Sequence, residues 1–119
     1  MKKSIAQKVI RLPNQFYNIE NVSISSLLKE TGYYEHYNSI DVSDIRKAIE
    51  SDIDCIDQWI TWSENKRTSS GWYFKRVSEG KCIVGHYPNT NELMEYADAK
   101  EACATFIKLE LEDIRTAAL

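Results

Sequence analysis

The sequence predicts an α+β domain: helices first, a small antiparallel sheet, and a closing helix laid across it. Three observations predict it. Apolar residues recur at helical spacing between Ile45 and Ile60. Two aromatic and β-branched runs flank Gly80. One unbroken apolar face runs from Ala99 to Ile114. The 119 residues are most simply one domain, long enough to bury a core without disulfide or metal staples.

Each element follows from local chemistry. Ile5, Val9, Ile10 and Leu12 suit a short helix or a strand, ended by Pro13 and Asn14. Phe16 to Ile24 has no clear period, although its apolar residues imply partial burial. Ser25 or Ser23 can cap a short helix through Leu27, Leu28 and Lys29, which Gly32 stops. Tyr33, Tyr34 and Tyr37 then fall in a loop.

Ser43 is the expected N-cap of a helix carrying Ile45, Ala48 and Ile49. Ser51 can start another, with Asp52 and Asp54 facing the positive end of its macrodipole. Ile53, Ile56 and Ile60 keep helical spacing, Trp59 and the more off-face Trp62 flank them, and the helix ends near Asn65. The spacing leaves open whether these are two helices or one kinked at Ser51.

Trp72 to Val77 and Lys81 to Tyr87 predict a hairpin, with Gly80 supplying the positive φ of its turn. Strand alternation puts Trp72 and Phe74 on one face and Tyr73 on the other. Pro88 and Asn89 end the second strand, and Leu93 to Tyr96 can add a third. Asp98-Ala99-Lys100-Glu101 reads as a capping box for the last helix.

Composition narrows the function. The hydrophobic share is 43% and the charged share 28%, ordinary values for a soluble domain. No apolar run suits a membrane span, and the basic start lacks the apolar stretch of a secretory signal, so a cytoplasmic location is expected. Cys55, Cys82 and Cys103 are odd in number, widely spaced and set among apolar neighbours, which fits reduced core thiols. His36 and His86 have no ligand-type residue at i+3 or i+4, so neither a metal nor another cofactor is expected. A Cys–His enzyme would have to use His86 with Cys82 or Cys103.

The net charge of −3 is unevenly spread. Acidic stretches at residues 41–57 and 92–113 flank a basic stretch at 66–81. Glu50, Asp54, Asp57 and Glu64 recur at i, i+4, i+7 and i+14 and would form one acidic stripe on a continuous helix. A solvated stripe does not raise a carboxylate pKa as general acid catalysis requires, so it fits a water-facing helix side or, next, partner binding. Lys66-Arg67-Thr68-Ser69-Ser70-Gly71 is basic and hydroxyl-rich but lacks the glycine spacing of a phosphate loop. A nucleic-acid module would use Lys66, Arg67, Lys75 and Arg76, but the net negative charge argues against one.

Trp62-Ser63-Glu64-Asn65-Lys66-Arg67, Ser70-Gly71-Trp72-Tyr73-Phe74, Ile83-Val84-Gly85, Ala102-Cys103-Ala104-Thr105-Phe106-Ile107 and Leu109-Glu110-Leu111 together resemble small immunity proteins of bacterial toxin–immunity systems, including contact-dependent growth inhibition. The resemblance covers roughly the C-terminal half. It implies a cytosolic, non-enzymatic inhibitor that binds one cognate toxin domain, such as a basic nuclease, and occludes its active site. It transfers no contact residue. Charge alone nominates Glu50, Asp54, Asp57 and Glu64, then Glu110, Glu112 and Asp113, with Tyr33, Tyr34 and Tyr37 as aromatic anchors or core. The alternative is a module that binds another protein or pairs with itself.

Overall fold

A computed structural model describes residues 2–19, 22–65, 71–87 and 93–117. Within them seven helices and a three-stranded antiparallel sheet form the expected α+β architecture. The helices are α1 (Lys2–Val9), α2 (Leu12–Asn18), α3 (Ile24–Glu30), α4 (Tyr33–His36), α5 (Val42–Glu50), α6 (Cys55–Asn65) and α7 (Ala99–Ala117). The strands are β1 (Gly71–Ser78), β2 (Lys81–Tyr87) and β3 (Met94–Tyr96), ordered β1-β2-β3. Helix α7 packs against all three strands and also against α3, α5 and α6.

Local chemistry explains most boundaries and corrects several expectations. Pro13 does not end a segment; it sits in the first turn of α2, where its missing N–H has no intrahelical partner to lose. Ser23, one of the two candidate caps, accepts the Ser26 amide at 3.1 Å. Gly32, at φ 90°, ends α3 and leads directly into α4, so Tyr33 and Tyr34 are helical rather than looped.

The cap of α5 is Asp41, not Ser43. Asp41 and Asp44 each accept the other's backbone N–H, a reciprocal box that Ser43 cannot make from inside the helix. Asp98 does cap α7, accepting the Lys100 amide at 2.9 Å, while the Glu101 carboxylate pairs with Arg46.

The acidic stripe does not form, because α5 and α6 are separate helices. Ser51 closes α5: its amide and that of Asp52 return to the carbonyls of Ala48 and Ile49, and its hydroxyl donates to Ala48. Asp52 and Asp54 therefore precede α6 instead of opening it, and Ile53, shifted out of helical phase, is 55% exposed. The buried face of α6 is Cys55, Ile56, Trp59 and Trp62. Trp62, expected to lie off the face, is only 9% exposed.

The hairpin register pairs Trp72 with His86, Tyr73 with Gly85 and Phe74 with Val84. Trp72 and Phe74 thus share the face that packs on the core, and Tyr73 takes the other. Gly80 has φ 76° in the turn. The Tyr73 ring lies across Gly85, in the space a Cβ there would need. The Phe74 amide on the outer edge of β1 donates to Ser63 Oγ of α6 at 2.8 Å, so the helix satisfies an edge group a sheet alone would leave open.

Trp59 is fully buried and its indole N–H donates 3.0 Å to the carbonyl of Ile10, tying α6 to the end of α1. Trp59→Phe leaves that buried carbonyl without its partner and opens space around the smaller ring. The expected loss is about 2–4 kcal/mol. It should appear as a lower urea midpoint with an unchanged slope.

Candidate protein-binding surface

The nominated residues separate into internal clamps and a surface. Tyr33 is fully buried, so it offers a partner nothing. Its hydroxyl donates to Glu112 Oε2 at 2.6 Å and accepts from Lys108 Nζ at 2.8 Å. Lys108 also donates to the Tyr37 carbonyl, and the Arg115 guanidinium lies 3.7 Å from the centre of the Tyr37 ring. Arg115 grips both oxygens of Glu112. Tyr34 shares a 2.6 Å hydrogen bond with Ser25. Glu110, almost fully buried, accepts the Trp62 indole N–H at 2.8 Å. Three tyrosines and two carboxylates therefore tie α4 to α3, α4 and the residue after it to α7, and α6 to α7. Sequence could not separate them from surface anchors, because their partners lie up to 79 residues away.

This network sets an acid response. Burial raises the Glu112 pKa, but hydrogen bonds from Arg115 and Tyr33 and the Lys108 charge outweigh it, so the carboxyl titrates below its ordinary 4.5. Burial first, then Glu112, holds the Tyr33 phenol protonated far above its ordinary range. The Arg46 hydrogen bond likewise lowers Asp98 below 3.8. A carboxyl with a depressed folded pKa contributes stability above its unfolded value and loses it as pH falls through the folded value. Unfolding midpoints should hold steady above about pH 5 and fall as the pH drops below 4.5. Glu112→Gln should start lower at pH 7 and fall less steeply, as pH-stepped urea titrations will show.

Glu50 pairs with Arg46 at 2.9 Å, and Arg46 also reaches Asp98 at 2.7 Å and Glu101 at 3.3 Å. That hub joins α5 to the start of α7. Glu50 also borders a depression of about 700 Å³ between α1 and α5. Lys2, Lys3 and Lys47 interleave there with Asp44 and Glu50, so the cleft concentrates neither sign of charge. Asp113 is exposed on α7, next in sequence to the clamped Glu112.

Asp54, Asp57 and Glu64 remain on the surface. Asp57 and Glu64 stand two turns apart on α6, about 10.5 Å along the helix, with the exposed Thr61 between them. Asp57 is paired with Arg76 at 3.3 Å, yet its side chain is 77% exposed. Asp54 and Glu64 make no ion pair among the described residues.

Beside them stands Tyr17, for which no local signal exists, because Phe16 to Ile24 has no period. Tyr17 is 50% exposed, and its hydroxyl accepts from Asn65 at 3.3 Å. It divides two grooves. One, about 220 Å³, is lined by Asn14, Tyr17, Asp57, Gln58 and Thr61. The other, about 280 Å³, includes Phe16, Ile24, Trp62 and Ile114. An acidic helix face beside an exposed aromatic ring is an arrangement that suits a cationic protein partner.

The thiols and histidines show no comparable arrangement. All three cysteines are buried, and burial together with Cys55 and Cys82 pushes the Cys103 thiol well above its ordinary pKa. A nucleophilic cysteine needs the opposite shift. Cys82 and His86 share a face of β2 but lie four residues, about 13 Å, apart. His86 packs edge-on against Trp72, and its Nδ1 has no hydrogen-bond partner to orient it as a base. Among the described residues no three His, Cys, Asp or Glu converge on a metal position, and no helix is long and apolar enough to cross a membrane. The Lys66–Ser70 loop lies outside the described residues. Comparison with family models, curated proteins and solved structures returned no match.

Asp57 occupies the first turn of α6 and Glu64 the last, so the macrodipole opposes reversal of the first and favours reversal of the second. The pair Asp57→Lys with Glu64→Lys should therefore change stability by no more than about 1 kcal/mol, the scale of exposed ion pairs. Thermal unfolding of the double variant checks this.

Proposed function

We propose that this chain binds and neutralises a cationic toxin domain, acting in the cytoplasm as an immunity protein. The observation that carries the reading is the surface of α2 and α6. Asp57 and Glu64 stand exposed there beside the half-exposed Tyr17, and the ion pair of Asp57 with Arg76 leaves its side chain 77% exposed. Opposite charge on the partner would steer association toward about 10⁸–10⁹ M⁻¹s⁻¹ at low salt. Tyr17 would supply the aromatic anchor on which interfaces concentrate their energy. The toxin as partner rests on the sequence resemblance.

A second reading, self-association, is favoured by the outer face of the sheet. Tyr73 and Tyr87 pack there with ring centres 4.6 Å apart, and Tyr87 and Val77 are each 47% exposed. A sedimentation coefficient that rises with protein concentration would favour it.

Co-expression with the C-terminal domain of the protein encoded immediately upstream tests the first reading. Growth arrest by that domain should be relieved by this chain, with a complex that co-purifies. The Asp57→Lys, Glu64→Lys variant should fold but fail to protect. Arrest that the unaltered chain does not relieve rules the reading out.

A further inference from the structure

The two grooves flanking Tyr17 differ in chemistry, and that difference describes an occupant. The larger, about 280 Å³, is walled by Phe16, Ile24, Trp62 and Ile114, with Asn65 and Glu110 also lining it. The polar groups at its rim have bonds of their own: the Trp62 N–H goes to Glu110 and the Asn65 amide to the Tyr17 hydroxyl. It therefore favours an apolar group. A dry apolar cavity of about 150 Å³ accepts a benzene ring, so this space admits a larger aromatic or branched side chain. The rings of Phe16, Tyr17 and Trp62 touch at centroid distances of 5.3 to 6.2 Å, which makes them a wall rather than an open cage for a cation.

The smaller groove, about 220 Å³, has Asp57 at its edge and the exposed Tyr17 ring as its other side. A Lys or Arg seated there meets the Tyr17 ring together with the Asp57 carboxylate, which its pair with Arg76 at 3.3 Å leaves 77% exposed. Glu64 extends the negative field along the same helix.

We infer that Tyr17 is the wedge of a two-part recognition site, which takes a partner segment presenting a bulky apolar side chain next to a Lys or Arg. The apolar side chain fills the groove against Trp62, and the cation sits against Asp57. The inference rests on the neutralising reading and specifies the partner's contact chemistry.

The probe is the capped dipeptide acetyl-Arg-Phe-amide, titrated into the ¹⁵N-labelled full chain while following the Trp62 indole and the Tyr17 and Asp57 amides. Saturable shifts at all three are expected. Acetyl-Glu-Phe-amide and acetyl-Arg-Ala-amide should each bind at least about fivefold more weakly, the effect of roughly 1 kcal/mol per lost contact. Ile24→Trp, which fills the apolar groove, should abolish the shifts.

Absence of saturable shifts overturns the inference, as do controls that bind equally well. Broadening at Tyr17 that follows protein concentration alone also overturns it, since a second copy would then be the occupant. The growth assay separates the two levels. If Ile24→Trp protects and the Asp57, Glu64 reversal does not, neutralisation stands and the groove assignment fails. Loss of protection in both, with the dipeptide result above, supports the site.

Discussion

A continuous run of aromatic contacts crosses this molecule, and the remaining elements are arranged around it. Phe74 of β1 stacks on Phe106 of α7 at 5.7 Å, and Phe106 meets the edge of Trp59 at 6.0 Å. Trp59 leads to Trp62 at 6.1 Å, and Trp62 to Phe16 of α2 at 5.3 Å. Each such pair adds about 0.5–1.5 kcal/mol beyond the burial of its area. More important is their order in space. The sheet, α7, α6 and α2 are registered to one another by rings with defined approach angles, and the last ring in the series, Tyr17, emerges at the surface. The proposed binding surface is the exposed end of the core.

Charges divide by location into two populations. Arg46 gathers Glu50, Asp98 and Glu101, while Glu112 is held between Tyr33 and Arg115. These acids join helices that are distant in sequence, and they leave little for a partner. Among the described residues Glu64 makes no ion pair, and Asp57 makes a single exposed one, to Arg76. An interface needs side chains that can exchange water for a partner without loosening the fold, and α6 provides them on its outward face while Trp59 and Trp62 hold its inward face in place. The break at Ser51 matters for the same reason. It lets α6 turn independently of α5, so Glu50 serves the α7 junction and Asp57 serves the surface.

The sequence by itself determined the class of the fold. Its hairpin around Gly80, the alternation of Trp72, Tyr73 and Phe74, and the apolar face of α7 are local periodicities, and local backbone geometry fixes their meaning. It also pointed to buried thiols and to an acidic surface. Tertiary structure decided which acids form that surface. A buried Glu110 and an exposed Glu64 look alike in sequence, because their difference lies in Trp62 and in packing contributed by residues far along the chain. The boundaries at Tyr33, Ser43 and Ser51 lie beyond local pattern for a related reason: alternative local hydrogen-bond arrangements compete at each site, and packing elsewhere selects one. Tyr17 is silent in the sequence, since its exposure depends on how α2 meets α6, a contact between segments about 45 residues apart that no local pattern encodes.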